Sequence, residues 1–73
     1  MLDRSQHLRL FLTGVGDSQD DVAAVLSDEY VRKEIEHHPL NSELLFEAVR
    51  RVSHFKFSSY QTDEFLFLFG RYR

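Results

Sequence analysis

Apolar residues recur along this chain at intervals of three and four, a spacing that predicts helices over most of its length. The clearest case runs from a cap at Asn41 or Ser42 to Phe57. There Leu44, Leu45, Ala48, Val49, Val52 and Phe55 share one arc of roughly 140° when successive residues are placed ~100° apart. Glu43, Glu47, Arg50, Arg51 and His54 lie outside that arc, and Glu47 and Arg51 stand in the favourable i, i+4 order for an ion pair. Phe46 and Phe57 fall behind the stripe, flanked by Arg50 and Ser53. A helix with two apolar faces has two things to pack against. Leu44, Val52 and Phe55 are therefore expected in the core, and Phe46 on the surface as a contact for a second molecule.

Two shorter helices precede it. Ser18, followed three residues later by Asp21, is a variant of the capping box, with acids suited to the positive end of a helix. Val22, Val25 and Leu26 form its stripe. At Ser27-Asp28-Glu29 the start signal repeats and the stripe changes phase, with Val31 and Ile35 falling nearly opposite Val22. The pattern predicts a break at Ser27 and a further helix to about His37, closed by Pro39, because the residue before a proline avoids helical geometry. Residues 2–13 fit two templates. Asp3 can cap a helix carrying Leu8, Phe11, Leu12 and Val15, yet Leu8, Leu10 and Leu12 also alternate as in a strand. Gly14-Val15-Gly16 ends either element.

The C-terminal part is the most apolar. Seven of the ten aromatic residues lie in the last nineteen positions, including the run Phe65-Leu66-Phe67-Leu68-Phe69. A turn over 58–61 followed by Thr62-Asp63-Glu64 predicts a final helix up to Phe69, with Gly70 near its end. Its alternative is a hairpin of residues 54–57 against 64–69, which would leave Leu66 and Leu68 uncovered on the second face of a two-stranded unit. In the helix, Phe65, Leu68, Phe69 and Tyr72 share a face, while Leu66 and Phe67 point elsewhere. The expected fold is an all-α bundle of four to five short helices in one domain, with an α+β arrangement as the alternative.

Composition narrows the chemistry. The chain has no cysteine, which removes disulfides, thiolate metal sites and cysteine nucleophiles, and favours an intracellular, cytoplasmic setting. Its start lacks the basic cap and long apolar core of a signal peptide, and no apolar run approaches the ~20 residues of a membrane span. The formal charge of −3 divides into −4 over residues 1–41 and +1 over residues 42–73. An acidic chain is not the electrostatic footprint of a general nucleic-acid binder.

Several patterns that carry chemistry elsewhere have plainer readings here. His37-His38-Pro39 offers adjacent histidines ~100° apart on a helix, where a shared metal needs i, i+4 spacing. Gly14-Val15-Gly16 lacks the third glycine of a dinucleotide turn, and Asp17, Asp20 and Asp21 would repel a phosphate. Ser53, Ser58 and Ser59 near His54 sit in no nucleophile turn. No cofactor, metal site or catalytic set is expected.

What remains is association. Five bulky apolar residues in a row, in a domain this small, call for cover by the rest of the fold or by another chain. The sequence thus points to a non-enzymatic protein-interaction module: a small regulator, adaptor or inhibitor that docks on a protein partner or forms a homodimer. Phe46, Arg50, Phe57, Phe67, Arg71 and Tyr72 are the expected contact residues, aromatics and arginines being what interface cores favour. The alternative is a nucleic-acid-associated regulator in which aromatic rings stack bases and Arg50, Arg51, Lys56, Arg71 and Arg73 meet phosphates.

Overall fold

The computed structural model describes residues 3–37 and 41–70. Among them are five helices and no strand: α1 (Arg4–Gly14), α2 (Gln19–Ser27), α3 (Glu29–His37), α4 (Ser42–Val52) and α5 (Ser59–Gly70). The all-α expectation holds and the hairpin alternative does not. Pro39, offered above as the stop for α3, lies outside the described residues, as do His38, Arg71, Tyr72 and Arg73.

Local chemistry accounts for each start. Asp3 accepts from the Gln6 N–H at 2.9 Å while Gln6 Oε1 accepts from the Asp3 N–H, a reciprocal capping box that decides α1 for helix over strand. Ser18 Oγ accepts from the Asp21 N–H to begin α2. Asp28 ends α2 in extended geometry and accepts from the Val31 N–H to begin α3, which is the break foreseen at Ser27. Asn41 does the same for α4 through the Leu44 N–H. The α1–α2 turn depends on Gly16, whose φ of +100° lies in the region that side chains resist.

Two boundaries differ from expectation. α4 ends at Val52, not near Phe57, because Ser53 adopts φ −74°, ψ 137°, and gives its N–H to Val49 O. Phe55 and Phe57 therefore follow the helix instead of extending it. α5 begins a turn early: Ser58 Oγ accepts from the Gln61 N–H at 3.1 Å and Gln61 Oε1 from the Ser58 N–H at 2.9 Å. Thr62, the expected cap, instead lies inside the helix and donates its hydroxyl to Ser58 O. Gly70 is also inside α5; a Cβ there would sit 2.8 Å from Ser42 Oγ, so its role is close approach to the start of α4.

The core gathers Leu8 and Leu12 of α1, Val22 and Val25 of α2, Val31 of α3, Leu45, Phe46, Ala48 and Val49 of α4, and Phe65 and Phe69 of α5. The Cα radius of gyration, 11.0 Å, equals the ~11 Å of a compact chain of this length. The expected pattern on α4 is corrected in one respect. Leu44 is 36% exposed and Phe46 only 8%. Once Phe55 is removed from the helix, the centre of the apolar stripe rotates toward Leu45 and Val49. Phe46 then becomes its inner edge, covered by the Phe65 ring at 5.0 Å. On α5, Leu66 packs against the core although it lies off the face shared by Phe65 and Phe69, and Leu68, which the wheel puts on that face, lies at its exposed margin. The inner face is centred on Phe65 and Phe69, whose rings meet Phe11 edge-on at 5.3 and 6.1 Å. Arg4 ties the start of α1 to the last turn of α5: Nη2 donates to Phe69 O at 2.6 Å and the guanidinium lies over the Phe69 ring.

Candidate functional site

Leaving α4 at Ser53, the chain runs through His54-Phe55-Lys56-Phe57 without regular structure before α5 begins. A segment that makes no helical or sheet hydrogen bonds needs other partners for its backbone. They come from α2. Asp21, whose side chain is 9% exposed, accepts from Ser53 Oγ at 2.8 Å and from the His54 N–H at 3.2 Å. The His54 Nδ1 atom stands 3.3 Å from Asp21 Oδ1, while the imidazole is 95% exposed. Ser53 Oγ also accepts from the Phe55 N–H and lies 3.4 Å from Asp17 Oδ2. One carboxylate thus braces the departure of the chain from α4.

Asp17 and Asp21 share this brace unequally. Burial pushes Asp17 above its ordinary value, and hydrogen bonding and charge from Asp21 push it the same way. Burial acts upward on Asp21 as well, but hydrogen bonds from Ser53, Asp17 and His54 outweigh it and hold that carboxyl below its ordinary value. Of the two, Asp17 is thus the first to take up a proton as pH falls and Asp21 the last.

Serine, histidine and aspartate side by side invite comparison with a nucleophilic triad. The hydroxyl proton of Ser53 goes to Asp21, not to the imidazole, and His54 contacts the same carboxylate. A base that activated Ser53 would have to accept that proton. The arrangement as it stands holds backbone. No three His, Cys, Asp or Glu side chains among the described residues are placed to hold a metal ion.

The braced segment forms one wall of a groove of about 580 Å³ against α4 and α5, lined by Phe46, Arg50, Ser53, His54, Phe55, Lys56, Phe57 and Thr62. Its floor is aromatic: Phe57 lies 5.4 Å from Phe46 and 5.0 Å from Phe55, ring centroid to ring centroid. Through Phe46 and Phe65 this series continues into the core. Arg50 reaches over Phe46 at 5.9 Å, and Arg50 and Lys56 stand exposed at the rim. The opposite side of the segment borders a shallower hollow lined by Asp17, Asp20, Asp21, Ala24, His54 and Phe55. The groove's rim is cationic and the hollow's acidic.

Of the six expected contact residues, the groove unites three: Phe46, Arg50 and Phe57. Phe46 belongs to its buried floor, contrary to the exposed position expected for it; Phe57 is half-buried and Arg50 open. Phe67 is 63% exposed on the outer side of α5, away from the groove lining. Arg71 and Tyr72 lie outside the described residues. The anticipated Glu47–Arg51 pair does not form; Arg51 instead covers the Tyr30 ring at 4.7 Å. The brace was not anticipated from sequence. Its only signal is the i, i+4 spacing of Asp17 and Asp21 on one side of a helix start, which capping explains equally well.

No helix among the described residues is long and apolar enough to cross a membrane. Compared with protein-family models, with curated proteins and with solved structures, the chain shows no significant match to any of them.

Proposed function

We propose that this chain is a non-enzymatic protein-interaction module, a small regulator, adaptor or inhibitor, working in the cytoplasm by docking through its aromatic C-terminal surface. The observation that carries this reading is the groove beside residues 53–57. It combines half-buried phenylalanine rings with exposed Arg50 on α4 and exposed Lys56 on a segment whose backbone is held in place. Anchoring rings surrounded by steering charges are the ingredients of a protein-docking surface. Pre-organisation of the segment lowers the entropy lost on binding. Nearby, Tyr60 and Phe67 add exposed aromatic area on α5.

The same cations carry the alternative, in which the rings stack nucleic-acid bases. A photo-crosslinking residue at Lys56, compared with one at Arg32 on α3, separates the two. Docking on protein gives discrete protein adducts from position 56 alone, persisting in high salt. Adducts to nucleic acid that vanish with salt would replace this reading by the alternative. Equal labelling from both positions would remove both.

A further inference from the structure

The outer side of α5 complements the groove. Helical periodicity brings Tyr60, Asp63, Glu64 and Phe67 to one side, and all four are exposed. Two rings about 10 Å apart along the axis thus bracket two carboxylates. The groove presents the converse, exposed Arg50 and Lys56 beside the rings of Phe46, Phe55 and Phe57, with Arg50 over Phe46. Among the described residues neither Lys56 nor Asp63 nor Glu64 takes part in an ion pair. The two surfaces are neighbours, since Thr62 lines the groove and Asp63 begins the acidic side of the stripe.

We infer that the occupant of the groove is a second copy of this chain, the α5 stripe of each protomer lying in the groove of the other. This rests on the docking reading above and names its partner. Both halves of the complement, acidic-aromatic and basic-aromatic, are carried by one molecule on adjacent faces. A two-fold axis beside the Thr62–Asp63 edge makes both contacts at once and closes the assembly at two subunits, whereas one stripe in one groove without that symmetry would leave an open chain. The rings supply the buried area that holds the dimer, and the charges set register. With a net charge of −3 on each copy, long-range attraction is absent, so the local pairing must orient the encounter.

Sedimentation equilibrium across micromolar concentrations tests this directly. The chain of 8.7 kDa should sediment at twice that mass. Lys56→Glu and Glu64→Lys each place like charges together at two symmetric points and should weaken the dimer roughly tenfold or more. Combined in one chain, the two substitutions restore opposite charges and should recover the dimer. Both positions are exposed, so circular dichroism should show every variant folded. A wild-type monomer at the highest concentration, a dimer indifferent to both single reversals, or a double variant without recovery would each overturn the self-docking. A monomer that still gives foreign-protein adducts from position 56 also overturns it, while leaving the docking reading in place. Loss of both dimer and adducts removes the two together.

Discussion

Two phenylalanine-rich stretches of this chain meet opposite fates. On α5, Phe65 and Phe69 are 0% and 3% exposed and anchor the helix against α1 and α4. In the 53–57 segment, Phe55 and Phe57 are only half-buried, and the backbone is held by hydrogen bonds to Asp21. Side-chain hydrophobicity does not distinguish the two. The difference is backbone geometry: a helix directs Phe65 and Phe69, four apart, to one inward face, whereas the irregular segment turns Phe55 and Phe57, two apart, to the same side, their rings 5.0 Å apart and only partly covered. The first region is held by apolar burial, the second by a few polar contacts, and the second is consequently the one able to offer aromatic surface to a partner.

The sharpest way to break that comparison is to truncate a ring in each region. Phe65→Ala should cost about 3–5 kcal/mol, most or all of the stability of so small a domain, and leave the chain largely unfolded at room temperature by circular dichroism. Phe57→Ala, at a half-buried site, should cost clearly less and leave a cooperative melt. Equal losses would mean that the groove floor is as much core as α5 is. Phe46 stands between the two, and its burial implies that Phe46→Ala is also strongly destabilising, so that substitution cannot serve as a surface probe.

Removing the polar contacts sharpens the other side of the contrast. Asp21→Ala removes the acceptor of the His54 N–H and the nearer acceptor of the half-buried Ser53 hydroxyl, which keeps only Asp17 Oδ2 at 3.4 Å, at a cost of about 1 kcal/mol. Hydrogen exchange should then accelerate at residues 53–55 before it does so in α5. Uniform acceleration across the molecule would show that segment and core open together. A comparable effect belongs to the junction of the two regions. Ser58→Ala deletes half of the reciprocal cap that starts α5 and should lower stability by about 1 kcal/mol, or roughly 4–8 °C in melting temperature.

Much of this architecture was legible in the sequence because it is local. Asp3, Ser18, Asp28 and Asn41 each cap a helix through a residue three positions ahead, so the starts and the break after Ser27 follow from spacing alone. The errors arose where a distant residue decides. Nothing near Ser53 in sequence says that α4 stops there; Asp21, thirty-two positions earlier, receives its hydroxyl. With the helix read too far, Phe55 entered the apolar arc and drew its centre toward Leu44, and so Phe46 was turned outward. The site was half legible for the same reason. Its rings and cations fall within residues 46–57, but the carboxylate that holds the 53–57 segment in place lies far from them in the chain.

The smallest expected effect tests whether the brace is electrically divided as its geometry implies. Asp21 is held below the ordinary value of 3.8, so its contribution is present above that pH and is lost as pH falls through its lower folded value. Asp17 is raised above 3.8, so the fold favours its protonated form, and that contribution is present below 3.8 and lost as pH rises through its higher folded value. The two slopes have opposite signs on either side of 3.8. Their sum is a shallow maximum there, with a gentle decline toward neutrality as both carboxyls ionise side by side. Asp17→Asn keeps a donor toward Asp21 and an oxygen for the Ser18 N–H, yet has no proton to lose. It should therefore abolish the decline above 3.8 and make the variant slightly more stable than wild type at neutral pH, while leaving the acid limb of Asp21 in place. His54 is unchanged in this comparison, so the difference between the two chains isolates Asp17. Urea midpoints measured from mildly acidic to neutral pH would read it. Parallel curves for wild type and Asp17→Asn would mean that Asp17 and Asp21 do not share a proton, and that the segment bearing the groove is held by Asp21 alone.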